Sequence, residues 1–326
     1  MKGSVLVLAL WVLTMLSIFA LSLGLGVRQR AALLERLSTL DALYPIAYSG
    51  VEKAKSLVNL DSDTVVDTLL DPWAASGAGQ EDLANGFFLL GDAERPGLVD
   101  EERKINLNAA SLEVLSRLLQ IAAGLSREQA EEIAYCLIDW MDSDSFFGHP
   151  QYGAETAYYD NLRAPYRAAD KPYELLDEMV LVKGMTPEIF QKIRPFVTVY
   201  GSGQVNMNTA PREVLRVLGF SPEGAELIAR YRSGADGIEG NSDDNFFSDA
   251  SAILTDLATK GDSPLDDTQE VVLGGLLEAS RVGVASTAFS VVSHAVLAKN
   301  QASMDIEAVI DRQGRIRYSR ASEVKL

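Results

Sequence analysis

SVLVLALWVLTMLSIFALSLGLGV, residues 4–27, is a run of 24 residues without a charge. At a rise of about 1.5 Å per residue it is long enough to cross a bilayer as one helix. Met1-Lys2-Gly3 precedes it, and Arg28 and Arg30 follow it. A cleavable secretory signal has a shorter apolar stretch, about 7–15 residues, ending in a small-x-small site. Here the helical pattern continues past the apolar run. Leu33, Leu37, Leu40, Tyr44, Ala47, Val51, Ala54 and Val58 recur at alternating steps of four and three, one apolar stripe of an amphipathic helix. One helix is therefore predicted from about Ser4 to about Leu60, apolar all round in its first half and amphipathic in its second. Pro45 lies inside it and is expected to kink it. The flanking charges are balanced: Lys2 and the amino terminus favour a cytoplasmic start, Arg28 and Arg30 the reverse.

The chain beyond this helix is acidic. The 326 residues carry 29 Lys+Arg and 46 Asp+Glu, a net charge of −17. Residues 1–40 hold four basic residues and one acidic one, so the remainder holds 25 and 45, a net of −20. Such a surface repels phosphate backbones, and no nucleic-acid partner is expected. With 47% hydrophobic residues the chain can bury a large core, which excludes wholesale disorder. Its one cysteine, Cys136, excludes an internal disulfide framework and a Cys-based zinc cluster. Its two histidines, His149 and His294, argue against a His-rich metal site or proton relay. There is no Ser-His-Asp order, phosphate-binding Gly-rich loop or His-metal motif, so no enzymatic activity is expected.

An internal repeat occupies the centre. Ile105-Asn-Leu-Asn-Ala-Ala110 and Val205-Asn-Met-Asn-Thr-Ala210 each introduce a helix. Over 105–118 against 205–218, seven of fourteen positions are identical. The second halves match at a displacement of 95, Gly124-Leu-Ser-Arg-Glu-Gln-Ala against Gly219-Phe-Ser-Pro-Glu-Gly-Ala. Each copy reads helix, glycine turn, helix. Asn108 and Asn208 are placed to cap freed N–H groups, Pro211 suits a first helical turn, and Gly124 and Gly219 suit left-handed C-terminal caps. A partial third copy runs from Leu175 to Ile193, with Gly184-Met-Thr-Pro-Glu as its turn. These pairs resemble helix-hairpin-helix (SAM-like) units. In nucleic-acid-binding versions the hairpin N–H groups meet a phosphate beside basic residues. Here the hairpins carry little positive charge, so they read as packing units. A membrane-anchored DNA receptor is the alternative.

Two acidic loops interrupt the repeat. Asp139, Asp142 and Asp144, continuing to Glu155, would repel one another strongly unless a cation bound them. Calcium takes six to eight oxygens in irregular geometry, which suits carboxylates on a loop. Phe146 stands where an EF-hand needs a third polar ligand, so the loop is not an EF-hand. Spacing leaves a calcium site and a solvated acidic loop both open. The second loop, with Asp236, Glu239, Asp243 and Asp244, opens a run from Asp236 to Glu270 with ten acidic residues and one basic residue, Lys260. It is the weaker calcium candidate.

The remaining signals are strands. Asp71-Pro72-Trp73 closes the helical region, 74–80 reads as loop, and Phe87–Leu90 is a strand with Leu98–Ile105 pairing back after a Glu94–Gly97 turn. Ala288–Ala298, Ser303–Ile310 and Ile316–Ser319 form an antiparallel meander, its apolar face against the amphipathic half of the long helix.

The basic leader ending in glycine, the apolar helix running into an amphipathic one, Ile105-Asn-Leu-Asn-Ala-Ala, Val205-Asn-Met-Asn-Thr-Ala-Pro-Arg-Glu-Val-Leu and Asp139-Trp-Met-Asp together resemble the K-type minor pseudopilins of type II secretion, the GspK family. The resemblance implies an α+β fold: a pilin-like long N-terminal helix and antiparallel sheet with a large inserted all-helical domain. The implied segments are a prepilin leader 1–3, a transmembrane helix 4–27, the amphipathic helix and first strands 28–104, the helical insertion 105–285 with repeats 105–200 and 205–285, and the closing sheet 286–326. It implies cleavage by prepilin peptidase between Gly3 and Ser4, methylation of the new terminus, and a bacterial inner-membrane protein with one span and a periplasmic head. Most pilins carry Glu at the fifth mature position, which pairs with a neighbour's amino terminus. Leu8 stands there, as the K type's lack of this Glu leads one to expect. The resemblance implies a tip subunit that starts the filament and supports protein export with the I and J types, the major pseudopilin and the inner-membrane assembly platform. It also implies one or two calcium ions in the insertion, with Asp139, Asp142, Asp144 and Glu155 as candidate ligands.

Overall fold

A computed structural model describes residues 2–75, 80–91, 97–261 and 263–322. Met1 of the predicted leader, most of the 74–80 loop and most of the 94–97 turn lie outside the described residues.

Helix α1 runs from Lys2 to Leu60 without a break, with Pro45 inside it. From Leu6 to Val27 every large apolar side chain is exposed, and the helix is long and apolar enough to cross a membrane. Its second half packs on a sheet, but the buried stripe is broader than the one predicted. Ala47, Val51, Ala54 and Val58 are buried as expected, joined by Leu43, Ile46 and Leu57. Leu33, Leu37 and Tyr44 are exposed. Burial on the helix begins at Thr39, so Leu33 and Leu37 lie below it and no described residue covers them, while Tyr44 sits beside buried Leu43 on the outer side and stacks on Tyr48. The helix ends at Leu60, as predicted. Residues 61–71 are not helical, and a short helix α2 (Pro72–Ala75) follows. In this stretch the Asp61 and Asp67 carboxylates turn inward to Arg312.

The sheet holds β1 (Glu81–Leu83), β2 (Gly86–Leu90), β3 (Val99–Asp100), β8 (Ala288–Leu297), β9 (Ser303–Asp311) and β10 (Ile316–Ala321). Its order is β1-β2-β8-β9-β10, all antiparallel, with β3 also on β8. The closing meander is the one predicted. The first hairpin is not: β2 pairs with β1 and with the far half of β8, while β3 pairs with Ser290 and Phe289 of β8. β2 and β3 therefore lie end to end along one side of β8 rather than side by side.

Phe289, Val291, Ala295 and Leu297 of β8 are buried with Val51, Ala54 and Val58 of α1 in one cluster. Trp73, fully buried, tilts against Phe289 with ring centroids 4.9 Å apart. Gly50 allows this closeness, since a Cβ there would collide with Ser293 and press on Phe88. Both edges of the sheet are blunted. β1 is three residues long with Glu81 and Asp82 on it, and β10 carries a register irregularity at Arg317. Short, charged and bulged edges resist pairing with other chains.

The middle of the chain forms two units with a shared apolar core. Unit one opens with β4 (Ile105–Asn106), which pairs in parallel with β5 (Val197–Thr198) at its end. Between them lie α3 (Leu112–Ala123), α4 (Arg127–Met141), α5 (Thr156–Tyr159) and α6 (Pro187–Ile193). Unit two opens with β6 (Val205–Asn206), which pairs in parallel with β7 (Val282–Gly283). Between them lie α7 (Arg212–Leu218), α8 (Pro222–Arg232), α9 (Ile253–Lys260) and α10 (Asp267–Glu278). The turn glycines are left-handed, Gly124 at φ 73° and Gly219 at φ 118°, as C-terminal caps require. The partial third copy has a 3-10 turn over Leu176–Leu181, Gly184 at φ 82° and Pro187 in the first turn of α6.

The Asn-x-Asn motifs do not cap helices. Ser111 caps α3, and Pro211 is itself the N-cap of α7, without a side-chain bond. Instead Asn106 and Asn206 each accept the N–H two residues on, at 2.9 Å. Asn108 bonds both the N–H (2.8 Å) and the carbonyl (3.0 Å) of Tyr173, and Asn208 does the same to Phe247 at the same two distances. Each motif thus bends the chain and clamps a distant loop of its own unit.

A buried polar junction joins the units to the sheet. The Asp100 carboxylate accepts bonds from Asn206 and Thr209 of unit two, and Glu101 accepts one from Thr198 of unit one. Glu102 accepts from the Ser202 N–H between the units and from Thr287 at the start of β8. Asn206 reaches the Asp67 carbonyl at 3.1 Å, and Arg312 holds Asp61 and Asp67. The end of α1, the sheet and both units therefore meet in one hydrogen-bonded set.

Candidate metal centre

Helix α4 starts with a capping box in which Ser126 and Gln129 satisfy each other's backbone N–H groups. It ends in Asp139-Trp140-Met141, with Asp142 as C-cap. Two carboxylates at the negative end of a helix are electrostatically unfavourable. The loop then folds back over them. Gly148 N–H donates to Asp139 Oδ1 at 3.0 Å, and Ala154 N–H donates to Oδ2 at 2.9 Å. Gly148 and Gly153 make this possible, because a Cβ at either would run into the Asp139 carboxylate. Trp140 seats the loop: it is buried, edge-on to Tyr159 and Tyr166.

The fold-back brings Glu155 to the same place. Oxygens of Asp139, Asp142 and Glu155 lie within 4.8 Å of one another. Asp139 and Glu155 are buried and Asp142 is half-buried. Asp142 Oδ1 and Glu155 Oε1 are buried without a hydrogen-bond partner. An unpaired buried carboxylate oxygen is costly, and two facing each other more so. Burial, then the charges of Asp139 and Asp142, push the Glu155 carboxyl up to about 7. Burial also raises Asp139 and Asp142, against the N–H bonds that favour the ionised Asp139. Hard oxygen donors with two open positions fit a hard divalent cation such as calcium.

Of the sequence candidates, Asp139, Asp142 and Glu155 converge and Asp144 stands apart. The Asp144 carboxylate turns back on the Phe146 N–H at 2.7 Å and is exposed. Asp170 is a contributor that sequence reading missed. It sits at φ 49°, is tied to the Trp140 carbonyl, and adds its charge to the raising of Glu155.

The second loop is built differently. Asp236 accepts the Ile238 N–H and the Asn241 amide, Asp243 accepts the Ala235 and Asp236 N–H groups, and Asp244 accepts those of Gly240 and Asn241. Glu239 pairs with Arg232 at 2.6 Å. These four do not gather like the first trio. Among the described residues, the other such gathering is Asp61, Asp67 and Asp71, where the Arg312 guanidinium supplies the positive charge. That set and Asp100–Glu102 also escaped sequence reading. Their one signal is the charge run Asp100-Glu-Glu-Arg-Lys104 directly before the first repeat.

The hairpin turns are occupied from within. The Ser126 N–H meets Gln129, and the Ser221 N–H meets Gln269 at 2.7 Å. Arg117 lies over Gly219 and bonds the Val217 carbonyl. His149 stacks on Tyr152, His294 pairs with Asp305 across the sheet, and Cys136 is buried. Burial pushes the Cys136 thiol up to about 12, far from a reactive thiolate.

Residues 96–202 match the family model described as type II secretion system (T2SS), protein K. The chain is 28% identical over 135 residues to type II secretion system protein K of Aeromonas hydrophila, covering 41% of this chain and 35% of that one. It is 30% identical over 95 residues to the Pectobacterium carotovorum protein of the same name, 28% of each chain. To that of Klebsiella pneumoniae it is 24% identical over 241 residues, 62% of this chain and 70% of the relative. The matches to the first two thus span about a third of their lengths. A chain in the crystal structure of the GspK-GspI-GspJ complex from enterotoxigenic Escherichia coli shares the fold with a TM-score of 0.65. That match is 21% identical and covers 91% of this chain and 99% of the other.

Proposed function

The chain belongs to the type II secretion system protein K family, and from that premise we propose that it is a non-enzymatic minor pseudopilin at the tip of the pseudopilus. It assembles there with I-type and J-type partners, starts the filament, and supports protein export. The observation that carries this reading is the join within one helix: an apolar half, exposed from Leu6 to Val27, continuing into a half that carries the sheet. Such a helix packs beside its equivalents first in the bilayer and then in a filament. The exposed Leu33 and Leu37 extend that surface below the head. Leu8 leaves no carboxylate for the amino terminus of a subunit above, which suits a last position. The units of residues 105–284 form a bulky head that would obstruct further growth.

Prepilin peptidase cuts between Gly3 and Ser4 in this reading, the new terminus is methylated, and the head lies in the periplasm. Calcium at Asp139, Asp142 and Glu155 would supply the charge that these buried carboxylates lack and so hold the loop on α4. The DNA-receptor alternative has no support from the hairpins, whose Ser126 and Ser221 N–H groups are taken by Gln129 and Gln269.

The test is amino-terminal sequencing of the protein expressed with and without prepilin peptidase. A start at Ser4 that depends on the peptidase is expected. Retention of Met1 in its presence would remove the chain from the pilin pathway.

A further inference from the structure

The two units carry their acidic loops in matching places, each after the second helix of a hairpin. Asp142-Ser-Asp-Ser-Phe-Phe147 in unit one answers to Ser242-Asp-Asp-Asn-Phe-Phe247 in unit two, a displacement of 100. The loops differ in where positive charge comes from. At the displacement of 95 that aligns the hairpins, Leu137 of α4 corresponds to Arg232 of α8. Both are buried. Where unit one buries an apolar side chain beneath its loop, unit two buries a guanidinium.

That guanidinium is engaged on two sides. Its Nη1 donates to the carbonyls of Met207 and Ala210, at 2.9 and 2.8 Å, in the segment that opens unit two. Its Nη2 donates to Glu239 at 2.6 Å, in the middle of the acidic loop. The Arg232 carbonyl receives the Asn245 N–H at 3.0 Å, where the loop returns. Asp244 faces the same charge. Asp236 and Asp243 are already bonded to backbone and side-chain N–H groups of the loop itself.

We infer that Arg232 is the cation that closes the second loop, and that this loop takes no divalent metal. This refines the calcium reading by confining it to the first loop. A buried Arg with a carboxylate partner and two carbonyl acceptors is a permanent charge, indifferent to metal supply. In the second loop the unpaired buried Asp244 Oδ1 faces the Arg232 charge, whereas the first loop, with two unpaired buried carboxylate oxygens, has no such resident. One unit is thus conditional on an ion and the other is not.

The test uses the full-length protein in detergent, stripped of metal and then given calcium chloride. Native mass spectrometry counts the ions, and hydrogen exchange follows residues 142–155 and 236–245. One calcium is expected. Chelation is expected to speed exchange in the first loop by about tenfold or more and to leave the second loop essentially unchanged. Arg232→Met is expected to speed exchange in the second loop by a similar factor, with or without calcium. Glu239→Gln keeps the guanidinium bonded to the two carbonyls and is expected to loosen the second loop alone, which serves if Arg232→Met does not fold. Two bound ions, or a second loop protected only when calcium is present, would overturn the inference. No bound ion, with the second loop still loosened by these substitutions, would uphold it and sink the calcium reading of the first loop.

Discussion

Chelating calcium is expected to lower the unfolding temperature of the full-length protein, and to do so far more at pH 8 than at pH 5. A ligand that binds only the folded state stabilises it, by about 2.7 kcal/mol at a hundred times its dissociation constant. The pH dependence follows from the carboxylates. Without metal, Glu155 keeps its proton in the folded chain up to about 7, whereas its ordinary value is 4.5. Between those values the folded state binds more protons than the unfolded one, so stability falls as pH rises through that window. Asp139 and Asp142 are raised too and act in the same direction. Calcium binds the ionised carboxylates, so its contribution grows over the window in which the apo protein weakens. Calorimetric scans with and without chelator at both pH values measure the gap. Glu155→Gln should shrink it at pH 8. A gap equal at both pH values, or none at all, would mean that the trio holds no cation.

Asn208→Ala should strongly destabilise the second unit. Asn208 is buried, and its amide satisfies both the N–H and the carbonyl of Phe247, which is fully buried. Truncation leaves both backbone groups unpaired, at roughly 1–3 kcal/mol each. It also removes the bond from the Asn208 side of a loop whose other anchors are Arg232 and Asn245. The total is about 2–6 kcal/mol, or a fall in midpoint on the order of 5–15 °C. Asn208→Asp should be no milder, because it keeps the acceptor, loses the donor and buries a charge. Asn241→Ala is the control, since that side chain bonds only within the exposed loop. If Asn208→Ala unfolds within a degree or two of the control, the clamp contributes little and the shared motif needs another explanation.

What could be read in the sequence was what local pattern encodes. The uncharged run from Ser4, the alternation in 303–310 and the glycine turns at 124 and 219 declare themselves within a few residues. The phase of the α1 stripe was legible only in part: Ala47, Val51, Ala54 and Val58 are buried, whereas Leu37 and Tyr44 share the spacing and are exposed. The repeat was visible, yet the purpose of its Asn-x-Asn was not. Its partners, Tyr173 and Phe247, lie 65 and 39 residues away, and nothing local links them. At the candidate metal centre, Asp139 and Asp142 follow from helical spacing. Glu155 arrives by the fold-back at Gly148 and Gly153, and Asp144 leaves by turning on its own backbone. Asp100–Glu102 were read only as part of the Leu98–Ile105 strand and proved to be a buried joint of the molecule, since only the assembled fold supplies Asn206, Thr198 and Thr287 as donors.

The most direct test of the central claim is to co-express the full-length chain with I-type and J-type minor pseudopilins, purify through a tag on this chain, and weigh the complex. The account predicts a complex with one copy of each. Recovery of this chain alone, or only as a complex with itself, would contradict it.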